Sequence, residues 1–129
     1  MLNLRCETLG PLVLLVDDDA MIVAMLQVAL ERAGYRVLTA ESGEAALKIF
    51  AACAVDAVAL DYNLPGMNGG EAAKAMTRLR PAVPKLLFSS WTTLSGEERG
   101  YFQGYCAKPC GLRTFLAQIA KMAALPLSA

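Results

Sequence analysis

The chain has 129 residues, the size of one ordinary domain, and its 56% hydrophobic and 19% charged content favours a folded chain over a disordered one. Its 12 basic and 12 acidic residues balance, which gives no sign of a nucleic-acid or membrane-binding patch, and the longest apolar run, residues 12–16, is far too short to span a bilayer. Because the chain has no histidine, Ser-His and Cys-His catalysis among its own residues is excluded.

The four cysteines have no spacing that is typical of a zinc site; they are Cys6, Cys53, Cys106 and Cys110. Residues 1–10 contain no export pattern. We therefore expect a cytoplasmic chain whose cysteines are reduced and structural or incidental in role.

Short apolar runs and helical segments alternate along the first half of the chain. The apolar run PLVLLV predicts a buried strand over residues 11–16. A helix follows from residue 20 to a C-cap at Gly34, and its inward residues are Ile22, Met25, Leu26, Ala29, Leu30 and Ala33. A second strand over 35–40 leads to a second helix over 42–53, for which Ser42 is the predicted N-cap.

The second half continues the alternation, with one weak segment. Strands are predicted over 55–61, 84–90 and 105–107, and helices over 69–80 and 111–125, the last with Leu112, Phe115, Leu116, Ile119 and Ala123 inward. Between residues 91 and 105, Ser95 and Glu98 have capping-box spacing, but Gly100 and Gly104 allow only one or two helical turns. We expect a short or irregular fourth helix there.

This alternation predicts an α/β fold with a doubly wound, five-stranded parallel sheet and helices on both faces. No linker divides the chain into two domains. In open sheets of this kind, functional sites lie beyond the carboxyl ends of the strands.

Polar side chains follow these strand ends. Asp17, Asp18 and Asp19 come after the first strand and Asp61 after the third, whereas Ser89 and Ser90 end the fourth and Lys108 follows the fifth. Clustered carboxylates repel one another, and Mg²⁺ with its preference for oxygen ligands removes the conflict. A carboxylate beside Mg²⁺ can attack phosphorus and form an aspartyl phosphate. Taken alone, Asp19 is better interpreted as a helix cap.

Four motifs, LLVDDD, ALDYNLPGMNG, LLFSS and YCAKP, occur in an order that resembles the receiver domain of two-component response regulators. The resemblance covers residues 11–124, which leaves 1–10 as an N-terminal extension and 125–129 as a C-terminal tail. It implies a flavodoxin-like three-layer sandwich with strand order 2-1-3-4-5.

The resemblance also implies a phosphoacceptor and a metal site. Asp61 matches the phosphoacceptor, and Asp17 and Asp18 match the acidic pair that binds Mg²⁺, with Mn²⁺ as an alternative. Asp61 itself and the backbone carbonyl of Asn63 complete the metal ligands. After Asp61, we expect Pro65, Gly66 and Gly69 to shape the loop, because the glycines are able to adopt positive φ.

Three further residues match the parts that respond to phosphorylation. Ser89 and Lys108 match the residues that bind phosphoryl oxygens, and Tyr105 matches the aromatic that turns inward when Ser89 moves. The Lys108–Pro109 bond is cis in the family.

The resemblance implies a signalling protein rather than an enzyme, one that catalyses only its own phosphorylation and dephosphorylation. The donor would be a histidine kinase or a phosphotransfer protein, and the output an unknown protein target, with no direct binding of nucleic acid or membrane. A monomer and a weak homodimer both remain open. So do a free-standing receiver and a receiver cut from a longer regulator or hybrid kinase.

Two alternative functions also remain. One is a receiver-like interaction module that works without phosphorylation. The other is a phosphatase of the haloacid dehalogenase type that uses Asp17 and Asp19, although Met21 stands where that motif favours Thr or Val. Trp91 is interpreted either as a contact-surface aromatic or as a shield that slows loss of the phosphoryl group.

Overall fold

The strands form one parallel sheet in the predicted order. The computed structural model describes residues 10–90 and 94–123. The order is β2-β1-β3-β4-β5, which confirms the α/β prediction; the strands are β1 (Leu12–Val16), β2 (Arg36–Ala40), β3 (Ala57–Leu60), β4 (Lys85–Ser89) and β5 (Gly104–Ala107). The strand β2 is added on one side of β1, and β3, β4 and β5 are added on the other, so the topological switch point lies between the parallel strands β1 and β3. Both of these strands are buried throughout.

Helices cover both faces of this sheet. They are α1 (Ala20–Arg32), α2 (Gly43–Ala52), α3 (Gly69–Leu79), α4 (Gly96–Arg99) and α5 (Leu112–Met122). Successive residues of a strand point to opposite faces, so Leu14 belongs to the core with Phe50 of α2 and Met76 of α3. Leu15 belongs to the second core with Leu26 of α1 and Phe115 of α5.

Local capping explains where the helices begin. Asp19 caps α1, accepting hydrogen bonds from the backbone N–H groups of Met21 and Ile22, as its interpretation as a cap predicted. Ser42 caps α2 by accepting from Ala45 N–H, which confirms that prediction. At the end of α1, Gly34 has φ 105°, a left-handed conformation that glycine adopts without steric cost.

Two residues predicted to face inward are exposed. Met25 on α1 is 52% exposed and Leu112 on α5 is 40% exposed. The buried residues of α1 are Leu26 and Leu30 alone, one turn apart, so the stripe that meets the sheet is narrower than the apolar pattern suggests. Leu112 is the first residue of α5, and residues 111–114 at this N-terminal end are all exposed.

The fourth helix is short, as predicted. It has four residues, and Ser95 and Glu98 form the expected capping box, with each side chain accepting from the other's backbone N–H. The prediction for Trp91 lies outside the described residues. Within the described ranges, no helix is long and apolar enough to cross a membrane.

Candidate functional site

The carboxyl ends of β1 and β3 bring three carboxylates together. These strands pair with Val16 opposite Leu60, and the backbone N–H of Asp61 donates to Val16 O over 3.0 Å, so the residues that follow each strand are neighbours. Carboxylate oxygens of Asp17, Asp18 and Asp61 all lie within 4.8 Å of one another. Because such a group of hard oxygen donors suits Mg²⁺, the cluster fits a divalent cation.

The three carboxylates differ in burial. Asp17 is 1% and Asp61 6% exposed, whereas Asp18 lies at the surface. Both oxygens of Asp17 are already hydrogen-bonded: Oδ1 accepts from Asp19 N–H over 2.9 Å, and Oδ2 from Lys108 over 2.6 Å. Its orientation is therefore fixed from two sides.

Lys108 supplies the positive charge of the site. The chain reaches it directly after β5, and its backbone N–H donates to Ser89 O over 2.8 Å. Its Nζ lies 2.6 Å from Asp17 Oδ2 and 3.5 Å from Asp61 Oδ2. The Lys108–Pro109 bond is cis, as the resemblance implied. One ammonium thus bridges the two buried carboxylates.

Burial and the neighbouring charges shift two of the pKa values. The pKa of Asp61 is raised, chiefly by burial and further by the charge of Asp17, while Lys108 and the Asn63 N–H oppose the shift. Burial alone would lower the pKa of Lys108, but its hydrogen bonds and charge interactions with Asp17 and Asp61 outweigh that effect, so its pKa is raised. The Lys108 ammonium therefore stays charged beside the carboxylates of Asp17 and Asp61.

Ser89 brings a buried hydroxyl to the same edge. It is the last residue of β4 and is fully buried, and its Oγ makes no hydrogen bond of good geometry within residues 10–90 and 94–123, although it lies close enough to Asp61 to oppose the rise in the pKa of that carboxyl. A buried hydroxyl without a partner is costly. An oxygen-rich ligand at this edge would satisfy it.

The loop after β3 contains an exposed asparagine and two glycines of different kinds. Asn63 donates its backbone N–H to Asp61 Oδ1 over 3.3 Å, which helps to orient the carboxylate. Gly66 has φ 73°, as expected. Gly69 does not adopt positive φ; this glycine is needed for close approach, because a Cβ there would lie 2.6 Å from Tyr62 Cα.

Tyr105 lies on β5 with its side chain 48% exposed, next to a groove of about 550 Å³. The groove is also lined by Leu87 of β4, by Arg99 at the end of α4, and by Leu94 and Phe102 on either side of that helix. The predicted switch residue is thus at the surface, beside the short fourth helix.

Two contacts around the site were not predicted from the sequence. Tyr62 OH donates to Glu98 over 2.9 Å and so joins the Asp61 loop to α4. Asn68 forms a capping box with Glu71 at the start of α3. The N-x-x-E spacing could have revealed the capping box, but no local signal links residues 62 and 98.

The expectation of reduced cysteines is wrong for one pair. Cys106 and Cys110 form a disulfide, and their Cα atoms are 6.4 Å apart. The turn after β5 brings the two cysteines together. The spacing of the four cysteines in the sequence did not predict this pairing. Cys53 is a free thiol, as expected.

Comparisons with known proteins agree on one family. The model of the response regulator receiver domain matches residues 13–120. The phosphate regulon transcriptional regulatory protein PhoB of Pseudomonas aeruginosa is 35% identical over 119 residues, which cover 85% of this chain and 50% of that protein. The autoinducer 1 sensor kinase/phosphatase LuxN of Vibrio harveyi is 34% identical over 87 residues, 67% of this chain and 10% of that protein. The chain thus spans half or less of the length of these curated relatives.

Solved structures are similar over nearly the whole chain. The response regulator TrrA of Thermotoga maritima, solved in complex with Mg(2+)-BeF, has a TM-score of 0.82 and 28% identity, covering 87% of this chain and 98% of that one. The chemotaxis response regulator CheY4 of Vibrio cholerae has a TM-score of 0.79 and 31% identity, with the same two coverages.

Proposed function

Because this chain belongs to the response regulator receiver family, we propose that it accepts a phosphoryl group on Asp61 and thereby switches a protein-binding surface. The observation that carries the proposal is the convergence of three carboxylates with the Lys108 ammonium at one sheet edge. Receiver domains are signalling modules that interact with histidine kinases and downstream effectors.

Asp17, Asp18, Asp61 and the backbone carbonyl of Asn63 are the proposed ligands of Mg²⁺, or of Mn²⁺ in its place. The clustered carboxylate oxygens fit such an ion, and Ser89 Oγ lacks the partner that a phosphoryl oxygen would provide. When bound, the ion would neutralise negative charge on the carboxylates and on the incoming phosphoryl group.

The residues of the chain perform the rest of the transfer. An oxygen of the Asp61 carboxylate attacks the phosphorus of a phosphohistidine on the partner protein. The new O–P bond forms as the N–P bond breaks, and the imidazole of the partner takes up the electron pair and then a proton. Lys108, 3.5 Å from Asp61, is close enough to pair with a phosphoryl oxygen, while the Ser89 hydroxyl donates to another.

The charge of the phosphoryl group would also drive the change in the protein-binding surface. A phosphoryl group adds roughly two negative charges and strong acceptor oxygens, which draw Ser89 and Lys108 towards Asp61. Tyr105, now exposed beside the groove, turns inward into the space that Ser89 vacates. The groove then presents a different surface to the downstream protein target.

The setting of this function also belongs to the proposal. We place the receiver domain at residues 11–124, with 1–10 as an extension and 125–129 as a tail, in the cytoplasm. The donor is a histidine kinase or phosphotransfer protein, and the chain acts as a monomer or a weak homodimer. It binds no nucleic acid itself, and it catalyses only its own phosphorylation and dephosphorylation.

Asp61→Asn tests this proposal. The purified chain is incubated with Mg²⁺ and a small phosphodonor such as acetyl phosphate, and acid-labile phosphate is followed by intact-mass measurement. The wild type should gain one phosphoryl group and Asp61→Asn none. Asp19→Asn is the matched control, since Asn caps a helix as well as Asp does, and it should label like the wild type.

Mapping the labelled residue separates the alternatives. Label on Asp17 would replace the proposal by the phosphatase mechanism, although both oxygens of that carboxylate are already hydrogen-bonded. An Asp61→Asn variant that labels as strongly as the wild type would refute the assignment. A wild type that neither labels nor binds beryllofluoride with Mg²⁺ would favour an interaction module that works without phosphorylation.

A further inference from the structure

The disulfide between Cys106 and Cys110 encloses Lys108, the only cation of the described residues that contacts the site. We propose that this disulfide is a reversible, redox-sensing bond that holds the Lys108 loop in place. The thiol redox state of the surroundings would thereby set the affinity of the site for a phosphoryl group, and this last step rests on the function proposed above.

The two cysteines anchor opposite ends of the loop. Cys106 is 3% exposed, pairs with Phe88 in the β4–β5 register and belongs to the hydrophobic core. Cys110 is half-buried and precedes Gly111, which caps α5 without a side-chain hydrogen bond. The sulfur–sulfur bond therefore ties the end of the loop that leads into α5 to the strand β5.

The other polar and ring contacts that join this loop to the sheet are made, among the described residues, by Lys108 itself. The Lys108 backbone N–H donates to Ser89 O, and its ammonium reaches Asp17 and lies 5.1 Å from the centre of the Phe88 ring. All three contacts depend on the position of residue 108, which is midway in the sequence between the two cysteines. Breaking the covalent link would release the backbone that positions the ammonium.

The unequal exposure of the two cysteine residues indicates how the bond would open. A thiolate of a low-molecular-weight thiol attacks the sulfur of Cys110, the more exposed of the two residues, forming a mixed disulfide, and Cys106 leaves as a thiolate that takes up a proton. A second small thiol then attacks the mixed disulfide, freeing Cys110 and leaving a small-molecule disulfide. Two electrons and two protons enter the protein. Oxidation by the small disulfide reverses these steps.

A reversible disulfide is compatible with a reducing compartment. Disulfides in the cytosol are usually transient and catalytic or redox-sensing rather than structural. The proposed cytoplasmic setting therefore favours a regulatory bond over a permanent one. The reduced site keeps all its functional side chains but loses the constraint on one of them, so we expect weaker binding rather than none. Misplacing a positioned group by about 1 Å can cost up to about a hundredfold; we expect a loss of about tenfold.

The experiment compares the oxidised and reduced forms of the full chain. The protein is equilibrated in glutathione buffers of graded redox potential, and its free thiols are alkylated, counted by intact mass and mapped by peptide analysis. In each form, amide hydrogen exchange of Lys108 and the calorimetric affinity for beryllofluoride with Mg²⁺ are measured. Cys110→Ser removes the bond at its more exposed end, Cys106→Ala is a second such variant, and Cys53→Ser is the matched control.

Three results are expected. Two thiols, mapped to Cys106 and Cys110, should disappear on oxidation and return on reduction. Reduction should speed the exchange of the Lys108 amide and weaken beryllofluoride binding, each by about tenfold. Cys110→Ser should behave like the reduced wild type in both buffers, whereas Cys53→Ser should respond like the wild type.

Other results would overturn the proposal. If both thiols stay alkylatable in oxidising buffer, no bond forms; if they are never released by glutathione, the bond is not a sensor. Unchanged Lys108 amide exchange would show that the bond does not hold the loop. If neither form binds beryllofluoride, the proposed function fails, whereas thiol mapping and amide exchange still decide whether a reversible bond holds the loop. Equal beryllofluoride binding in both forms would refute the coupling alone.

Discussion

Replacing Lys108 by Met removes the one positive charge that, among residues 10–90 and 94–123, lies between two buried carboxylates. Its Nζ lies 2.6 Å from Asp17 and 3.5 Å from Asp61, and the three side chains are 14%, 1% and 7% exposed. Methionine keeps much of the side-chain length without the charge. The variant leaves Asp17 and Asp61 to repel each other with no ammonium between them.

The size of the effect follows from these distances and this burial. At an effective dielectric constant of about 20, unit charges at those two separations attract by roughly 6 and 5 kcal/mol. Desolvation of the charges offsets much of this gain, but removing one partner of a buried pair costs about 3–5 kcal/mol because the other charge stays buried. We therefore expect Lys108→Met to lower the free energy of unfolding by about 3 kcal/mol at pH 7.

Mg²⁺ and acid should both reduce this loss. A cation that binds only the folded protein, at about one hundred times its Kd, adds about 2.7 kcal/mol of stability, and the carboxylates of the variant should bind it more tightly. Loss of Lys108 also raises the pKa of Asp61 further above its usual value, so the folded carboxyl keeps its proton to a higher pH than the unfolded one. The deficit should thus be smallest in acid and grow as pH rises through the folded pKa of Asp61.

Urea denaturation, with and without Mg²⁺, measures these quantities, and Lys74→Met is the control. Lys74 also forms a salt bridge, 3.5 Å from Glu97, but with side chains 45% and 66% exposed, so its loss should change stability little. The reasoning fails if Lys108→Met is no less stable than Lys74→Met. It also fails if Mg²⁺ stabilises the Lys108 variant no more than the wild type.

Two further predictions concern glycine packing and a buried lysine. Gly69→Ala should lower the free energy of unfolding, measured by urea denaturation, by about 3 kcal/mol, because the added Cβ would press on the Asp61 and Tyr62 backbone. Gly96→Ala is the control, because no atom lies within 4 Å of its added Cβ, and it should raise the free energy of unfolding by up to about 1 kcal/mol. Equal effects of the two substitutions would contradict the steric argument. Lys85 is 1% exposed, and burial lowers its pKa, so its folded state binds its proton less tightly than the unfolded state. Lys85→Met should therefore stabilise the protein by about 1 kcal/mol at pH 7, with the gain shrinking as pH rises towards 10.5, and a gain independent of pH would contradict this cause.

Much of the fold was predictable because its signals are local. A strand buried on both faces is apolar throughout, as in LVLLV of β1, and a helix start needs a nearby side-chain acceptor such as Asp19 or Ser42. These features involve residues within a few positions of one another. Alternation of strand and helix then predicts a parallel sheet; the strand order came from the resemblance.

The chemical make-up of the site was also predictable, since the sequence itself specifies which residue follows each strand. Asp17, Asp61, Ser89 and Lys108 are strand-end residues whichever way the helices pack. The carboxyl ends of parallel strands share one edge, so the sequence predicts that these groups approach one another there.

Distances, burial and long-range partners were decided only by the tertiary structure. The pairing of β1 with β3, of β3 with β4 and of β4 with β5 places the Lys108 ammonium 2.6 Å from Asp17, 91 positions away. The turn after β5 joins Cys106 to Cys110, and packing leaves Met25 at the surface. Periodicity describes one element at a time, whereas each of these features depends on the relative position of chain segments that no local pattern encodes.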